Sequence, residues 1–159
     1  MVQFYNPTRG QLTFVEVVRE IISMLQANPK SEFDIVVGSD SHASSDEREV
    51  DFVSAIVVHH VGKGGRYFWK RKKVKGIYTL RDKIYKEALL SFDLAKDLMD
   101  ELEERVYLDY NLEIHVDAGQ KGRTKEIIDE VVGMIMGTGF QVRTKPESYG
   151  ASTVADKHA

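Results

Sequence analysis

Phe33-Asp34-Ile35-Val36-Val37-Gly38-Ser39-Asp40-Ser41-His42 holds the clearest structural signal in the chain. Ile35-Val36-Val37 is an unbroken β-branched run, the pattern of a strand buried on both faces. From Gly38 the apolar pattern stops, so Asp40 follows a buried strand. Ala43 to Glu47 is polar and reads as a loop. Val50 to Val61 forms a second strand rich in valine and isoleucine. Gly62 to Gly65 is a turn and Arg66 to Lys75 a third strand. Such short connections imply antiparallel neighbours, so these three strands form a meander.

Upstream, Thr13-Phe14-Val15-Glu16 is a capping box. Val17, Val18, Ile21, Ile22 and Leu25 follow at helical spacing, and Asn28-Pro29 ends the helix. Downstream, Thr79-Leu80-Arg81-Asp82 opens a long helix that runs to about Val106. Its apolar stripe is Ile84, Ala88, Phe92, Ala95, Met99 and Leu102, flanked by Tyr85, Leu89 and Leu98. Leu112 to Val116 is a short strand that leads to Asp117-Ala118-Gly119. A further helix carries Ile127, Ile128, Val131, Val132 and Ile135 inward, closed by Gly137 or Gly139. Phe140, Val142 and Thr144 alternate with polar residues as a last strand, which Pro146 stops. Tyr149 to His158 is a short helix or loop. This order predicts an α/β fold: a mixed five-stranded sheet of three antiparallel strands and two αβ units, with helices on both faces and right-handed crossovers. One domain over residues 1–159 is expected, with 1–31 packed on it as a helical extension.

The chain has 159 residues, 42% hydrophobic and 30% charged, enough for one domain with a substantial core. No apolar run reaches the length of a membrane helix, and the first residues lack a signal-peptide pattern. With no cysteine, disulfide-linked partners and thiolate metal sites are excluded; the composition fits a cytoplasmic protein. Any metal must sit on oxygen or imidazole donors, which favours Mg²⁺ or Mn²⁺. Net charge is −3, yet Lys63 to Lys75 is strongly basic and able to steer a polyanion.

Four carboxylates stand out by position. Asp40 and Asp117 follow buried strands that this topology sets side by side and parallel, so both emerge at the same end of the sheet. Carboxylates gathered closely need a cation or a proton between them. Helix phase favours Glu87 over Asp82 as the long helix's contribution, because Ala88, Ser91 and Ala95 beside it allow close approach to the sheet. Asp156 lies in a small-residue segment that is unlike an exposed tail. Taken singly, each acid also fits a turn, a cap or a solvated charge. On the basic strand Tyr67, Trp69, Arg71 and Lys73 alternate to one face, and Arg66, Phe68, Lys70 and Lys72 to the other. Cations interleaved with aromatics suit nucleic acid, while Lys and Arg also protect a sheet edge from aggregation. Lys121, Arg123, Arg143 and Lys145 either extend this positive potential or are ordinary solvated charges. Gly62-Lys63-Gly64-Gly65 joins two strands and precedes no helix, so it is a hairpin turn and not a phosphate loop.

From about Phe33 to the C-terminus the chain resembles the ribonuclease H-like superfamily, and more narrowly the YkuK-like family of bacterial ribonuclease H-like proteins. The resemblance rests on Gly38-Ser39-Asp40-Ser41-His42, His115-Val116-Asp117-Ala118-Gly119 and the ending Ser148 to His158. It implies Asp40, Glu87, Asp117 and Asp156 as catalytic metal ligands for two divalent ions, and hydrolysis of phosphodiester bonds in RNA, DNA or a hybrid. Asp40 would bridge both ions, Glu87 and Asp117 would hold one, and Asp156 the other. His42, Lys157 or His158 would donate a proton or contact phosphate. A non-catalytic nucleic-acid-binding module and a phosphohydrolase of a small nucleotide are the alternatives. The helix before Phe33 is an addition to the minimal fold, which covers a sheet edge or face or makes a homodimer contact.

Overall fold

A computed structural model describes residues 3–43, 49–105, 110–116 and 124–144. Its elements are β1 (Gln3–Asn6), β2 (Gly10–Thr13), α1 (Phe14–Ala27), β3 (Phe33–Ala43), β4 (Glu49–His60), β5 (Gly64–Lys75), α2 (Leu80–Arg105), β6 (Asn111–Val116), α3 (Thr124–Met136) and β7 (Gln141–Thr144). The strands form one mixed sheet in the order β2-β1-β5-β4-β3-β6-β7. The meander β3-β4-β5 is antiparallel, and β6 joins β3 in parallel, with Ile35 opposite Leu112 and Ser39 opposite Val116. The sheet class therefore follows from the sequence pattern. The short helix or loop expected over 149–158 lies outside the described residues.

Two features of the sheet depart from the expected outline. Among the described residues the sheet has seven strands and not five, because a hairpin of β1 and β2 precedes the first helix and extends the sheet beyond β5. The Asn6 carboxamide makes this hairpin: its Oδ1 accepts from the backbone N–H of Thr8 at 2.9 Å and of Arg9 at 2.8 Å. Gly10 leaves the turn at φ +73°, which suits glycine. Asn6 Nδ2 donates to the Tyr67 carbonyl at 2.8 Å, and Tyr5 pairs with Trp69, so β5 is not the edge of the sheet. The second departure is β3, which continues as strand through the polar residues to Ala43 instead of ending at Asp40.

The capping box at the start of α1 is formed in both directions, Thr13 Oγ1 accepting from the Glu16 N–H at 3.2 Å and Glu16 Oε1 from the Thr13 N–H at 3.0 Å. Val17, Val18, Ile21 and Leu25 of α1 join Phe4 and Leu12 of the hairpin in the main core. The same core takes Phe33, Ile35 and Val37 of β3, Ile56 and Val58 of β4, Phe68 of β5 and Leu112 and Ile114 of β6. Ile84, Ala88, Leu94, Ala95, Leu98 and Leu102 seat α2 over this face, and Val131 and Ile135 seat α3 beside it. All three described helices thus share one face, so the expected cover of helices on both faces is not seen among the described residues. The opposite face carries a smaller cluster, Val36, Val53 and Ala55, with Val57 and Trp69 packed against it.

Leu98 is fully buried where α2 meets the sheet. Leu98→Ala is expected to cost about 2–5 kcal/mol, read as a lower midpoint in urea unfolding. A loss under about 1 kcal/mol would show that α2 is not held by this contact.

Candidate functional site

The site is built on the polar half of β3. Ser39 and Ser41 project toward α2, one pleat apart. Ser91 on α2 donates to Ser39 Oγ at 2.8 Å, and Ser39 Oγ lies 2.8 Å from Ser54 Oγ on β4. Just over one turn earlier on α2, Glu87 accepts a hydrogen bond from the Ser41 hydroxyl. The helix comes this close because its sheet-facing side carries Ala88, Ser91 and Ala95, all buried. Glu87 is itself only 8% exposed, so it belongs to the buried stripe. Asp82, the competing acid, lies exposed in the first turn, where its carboxylate accepts from the Tyr78 N–H at 3.4 Å and its own N–H is capped by Thr79 Oγ1 at 3.0 Å. Glu87 is thus the α2 acid that meets the sheet.

Asp40 stands between Ser39 and Ser41 in an unbroken ladder with β4, opposite Val53. Side chains alternate along a strand, so Asp40 points to the face of Val53 and not to the face of α2. Its Oδ1 accepts the Ser41 backbone N–H at 2.8 Å. Asp40 and Glu87 therefore approach the end of β3 from opposite faces, through neighbouring residues. Asp117 and Asp156 lie outside the described residues, as do Lys121, Arg123, Lys145, Lys157 and His158.

Asp51 was not singled out by sequence reasoning, and it shares the face of Asp40. It pairs with His42 on β3, which makes it the diagonal neighbour of Asp40, about 7–8 Å away between Cα atoms. Its Oδ1 is buried and has no hydrogen-bond partner among the described residues, a costly state for a carboxylate oxygen without a proton or cation. The donors at this end of β3 are thus oxygens, as a hard cation requires. Among the described residues, no three acids or histidines come together as a metal site.

A second polar cluster lies on the same face, on β6. Glu113 accepts from Arg143 Nε at 2.8 Å, from Asn111 Nδ2 at 3.0 Å and from His115 Nε2 at 3.1 Å. His115 is fully buried, opposite Gly38. Burial pushes the Glu113 carboxyl up, but the hydrogen bonds from Arg143, Asn111 and His115, with the charge of Arg143, outweigh it and hold the pKa at about 2. The period of two in Leu112-Glu113-Ile114-His115-Val116 was the available signal for this cluster. Arg143 is therefore engaged in a structural network and is not simply a solvated cation.

The basic strand β5 splits by face. Trp69, Arg71 and Lys73 lie on the Asp40 face, with Arg71 opposite Val53 and Lys73 opposite Asp51. Lys70 and Lys72 lie on the helix-bearing face, opposite Ser54 and Phe52. His42 is exposed on the Asp40 face.

A model of the family described as "Ribonuclease H-like" matches residues 16–159. The chain is 32% identical over 165 aligned residues to a Bacillus subtilis (strain 168) protein named "Uncharacterized protein YkuK", across 97% of this chain and 95% of that one. Among solved structures it is similar to RNase H1 from the halophilic archaeon Halobacterium salinarum, at 14% identity and a TM-score of 0.41 over 79% of this chain and 99% of that one. It is also similar to prototype foamy virus protease-reverse transcriptase, at 10% identity and a TM-score of 0.39 over 81% of this chain and 20% of that one.

The Glu113 cluster has a pH signature. Its folded-state pKa is depressed from 4.5 to about 2, so its contribution is complete above pH 5 and is lost as pH falls from about 4.5 toward 2. Urea unfolding of the wild type between pH 6 and pH 3 is expected to show this loss. Glu113→Gln is expected to be less stable at pH 6 and to have a flatter profile; an unchanged slope would contradict the assignment.

Proposed function

The chain belongs to the ribonuclease H-like family, and from that premise we propose that it is a divalent-metal-dependent nuclease that hydrolyses phosphodiester bonds of RNA, DNA or a hybrid. The observation that carries this reading is Glu87: a carboxylate drawn into the protein on α2, bonded to Ser41 and set one residue along β3 from Asp40. The buried Oδ1 of Asp51 beside Asp40, without a partner among the described residues, supports it further. Because Asp40 and Glu87 come from opposite faces, the proposed set closes around the end of the sheet, past the Ser39–Val116 pair. Asp117 follows Val116 directly in the sequence, and Asp156 completes the set.

When bound, Mg²⁺ or Mn²⁺ supplies a water of lowered pKa and neutralises charge on the leaving oxygen. The chain's own residues do the positioning. The Ser41 hydroxyl fixes one Glu87 oxygen, so the carboxylate keeps one orientation. The Ser91–Ser39–Ser54 hydroxyls lock α2 to β3 and β4, which fixes how far Glu87 reaches. His42, exposed on the Asp40 face, is the proposed phosphate contact or proton donor to the leaving group. The opposite-face approach of Asp40 and Glu87 is the observation that favours a second reading, a nucleic-acid-binding module without turnover.

One assay separates the two. End-labelled single-stranded RNA, DNA, duplex, hybrid and branched substrates are incubated with Mg²⁺ or Mn²⁺. The nuclease reading expects metal-dependent cutting that Asp117→Asn and Glu87→Gln reduce beyond the roughly 10–100-fold typical of supporting residues, with substrate affinity retained. Binding without cutting in the wild type establishes the module; full activity in Asp117→Asn overturns the metal site.

A further inference from the structure

Three consecutive exposed cations on β5, Arg71, Lys72 and Lys73, alternate between the two faces of the sheet. Resting on the nucleic-acid reading above, we infer that only one face of β5 grips substrate: Arg71 and Lys73, beside the Trp69–Tyr5 pair, hold the phosphate backbone on the face that carries Asp40, and Lys70 and Lys72 take no part.

The register places these residues. Arg71, Val53 and Asp40 form one row across β5, β4 and β3; Lys73, Asp51 and His42 form the next. Each cation thus stands two strands from its counterpart on β3, about 10 Å away, far enough to hold a phosphate that flanks the one at Asp40. Arg71 is further placed by its neighbour, with its guanidinium 6.0 Å from the Trp69 ring, which packs on Tyr5 at 4.8 Å between centroids. The N-terminal hairpin thereby gains a role, since β1 supplies Tyr5. Lys73 is exposed, and no ion pair ties it to Asp51 or any other residue among those described.

The other face is unsuited to a polyanion. Lys70 lies over the Phe4 ring at 5.3 Å, and burial pushes its ammonium pKa down, with Asp97 and Asp93 of α2 acting against that shift. The two acids are exposed beside it and repel phosphate. Arg66, on the same face, is bonded to Glu20 at 2.7 Å.

The test measures binding alone, in EDTA, so that turnover is irrelevant. Fluorescence anisotropy follows a labelled oligonucleotide, single-stranded in one arm and duplex in the other. Arg71→Glu and Lys73→Glu are each expected to weaken binding about tenfold, and Lys73→Ala to lower the slope of log K against log salt by about one. Lys72→Glu, with the same charge change as Lys73→Glu, is expected to change binding less than twofold. Whichever arm binds identifies the form held. If Lys72→Glu is as damaging as Lys73→Glu, or if none of the variants matters, the one-face inference is overturned while the nucleic-acid reading survives. If the wild type binds neither oligonucleotide, both fall. Thermal melts of the variants, expected within a few degrees of wild type, keep a lost interaction distinct from a lost fold.

Discussion

The parallel pairing of β3 with β6 governs the rest of the structure. With β4 bonded along its other side, β3 is enclosed at both edges and both faces, as its Ile35-Val36-Val37 run requires. The register then decides everything that follows. A one-residue slip would turn each side chain to the other face, taking Ser39 and Ser41 from α2 and presenting Asp40 to the helix instead. The hydrophobic term forbids the slip, because Ile35 and Val37 would leave the main core together. The position of Asp40 is in this sense set by residues that have no chemistry of their own.

Buried polar groups refine what the hydrophobic core allows. A helix packed only by leucines and alanines has several acceptable settings on a sheet. The Ser91–Ser39–Ser54 chain admits one, since each hydroxyl is satisfied only where the three meet. Ser41 and Glu87 add a second tie, so the carboxylate is placed by both the core and the hydroxyls. On the opposite face the Glu113 cluster joins β6 to β7 through Arg143. The two networks brace the sheet from its two faces, the serines at Ser39 and Ser41 of β3 and the Glu113 cluster at the level of Asp34 to Gly38.

Much of this was legible in the residues. The β-branched run announced β3, the short turns announced the meander, and helix phase selected Glu87 over Asp82. The hairpin of β1 and β2 was not legible: its strands are four residues long, with Pro7 between them, and they gain their place by docking on β5. The face of Asp40 was hidden because Gly38 to His42 carries no apolar alternation, so β3 was expected to stop where it continues. Asp51 was masked by the valine-rich strand around it. Alternation set Lys70 and Lys73 on opposite faces of β5, but only the hairpin and the acids of α2 distinguish the two faces chemically.

The central claim, that the carboxylates at the end of β3 hold divalent metal, is reached most directly by titrating Mn²⁺ into the protein and following the free ion by electron paramagnetic resonance. The account expects a saturable site in the wild type that both Asp40→Asn and Glu87→Gln weaken by about tenfold or more, although the two acids leave opposite faces of the sheet. Mn²⁺ binding unchanged in both variants would contradict it.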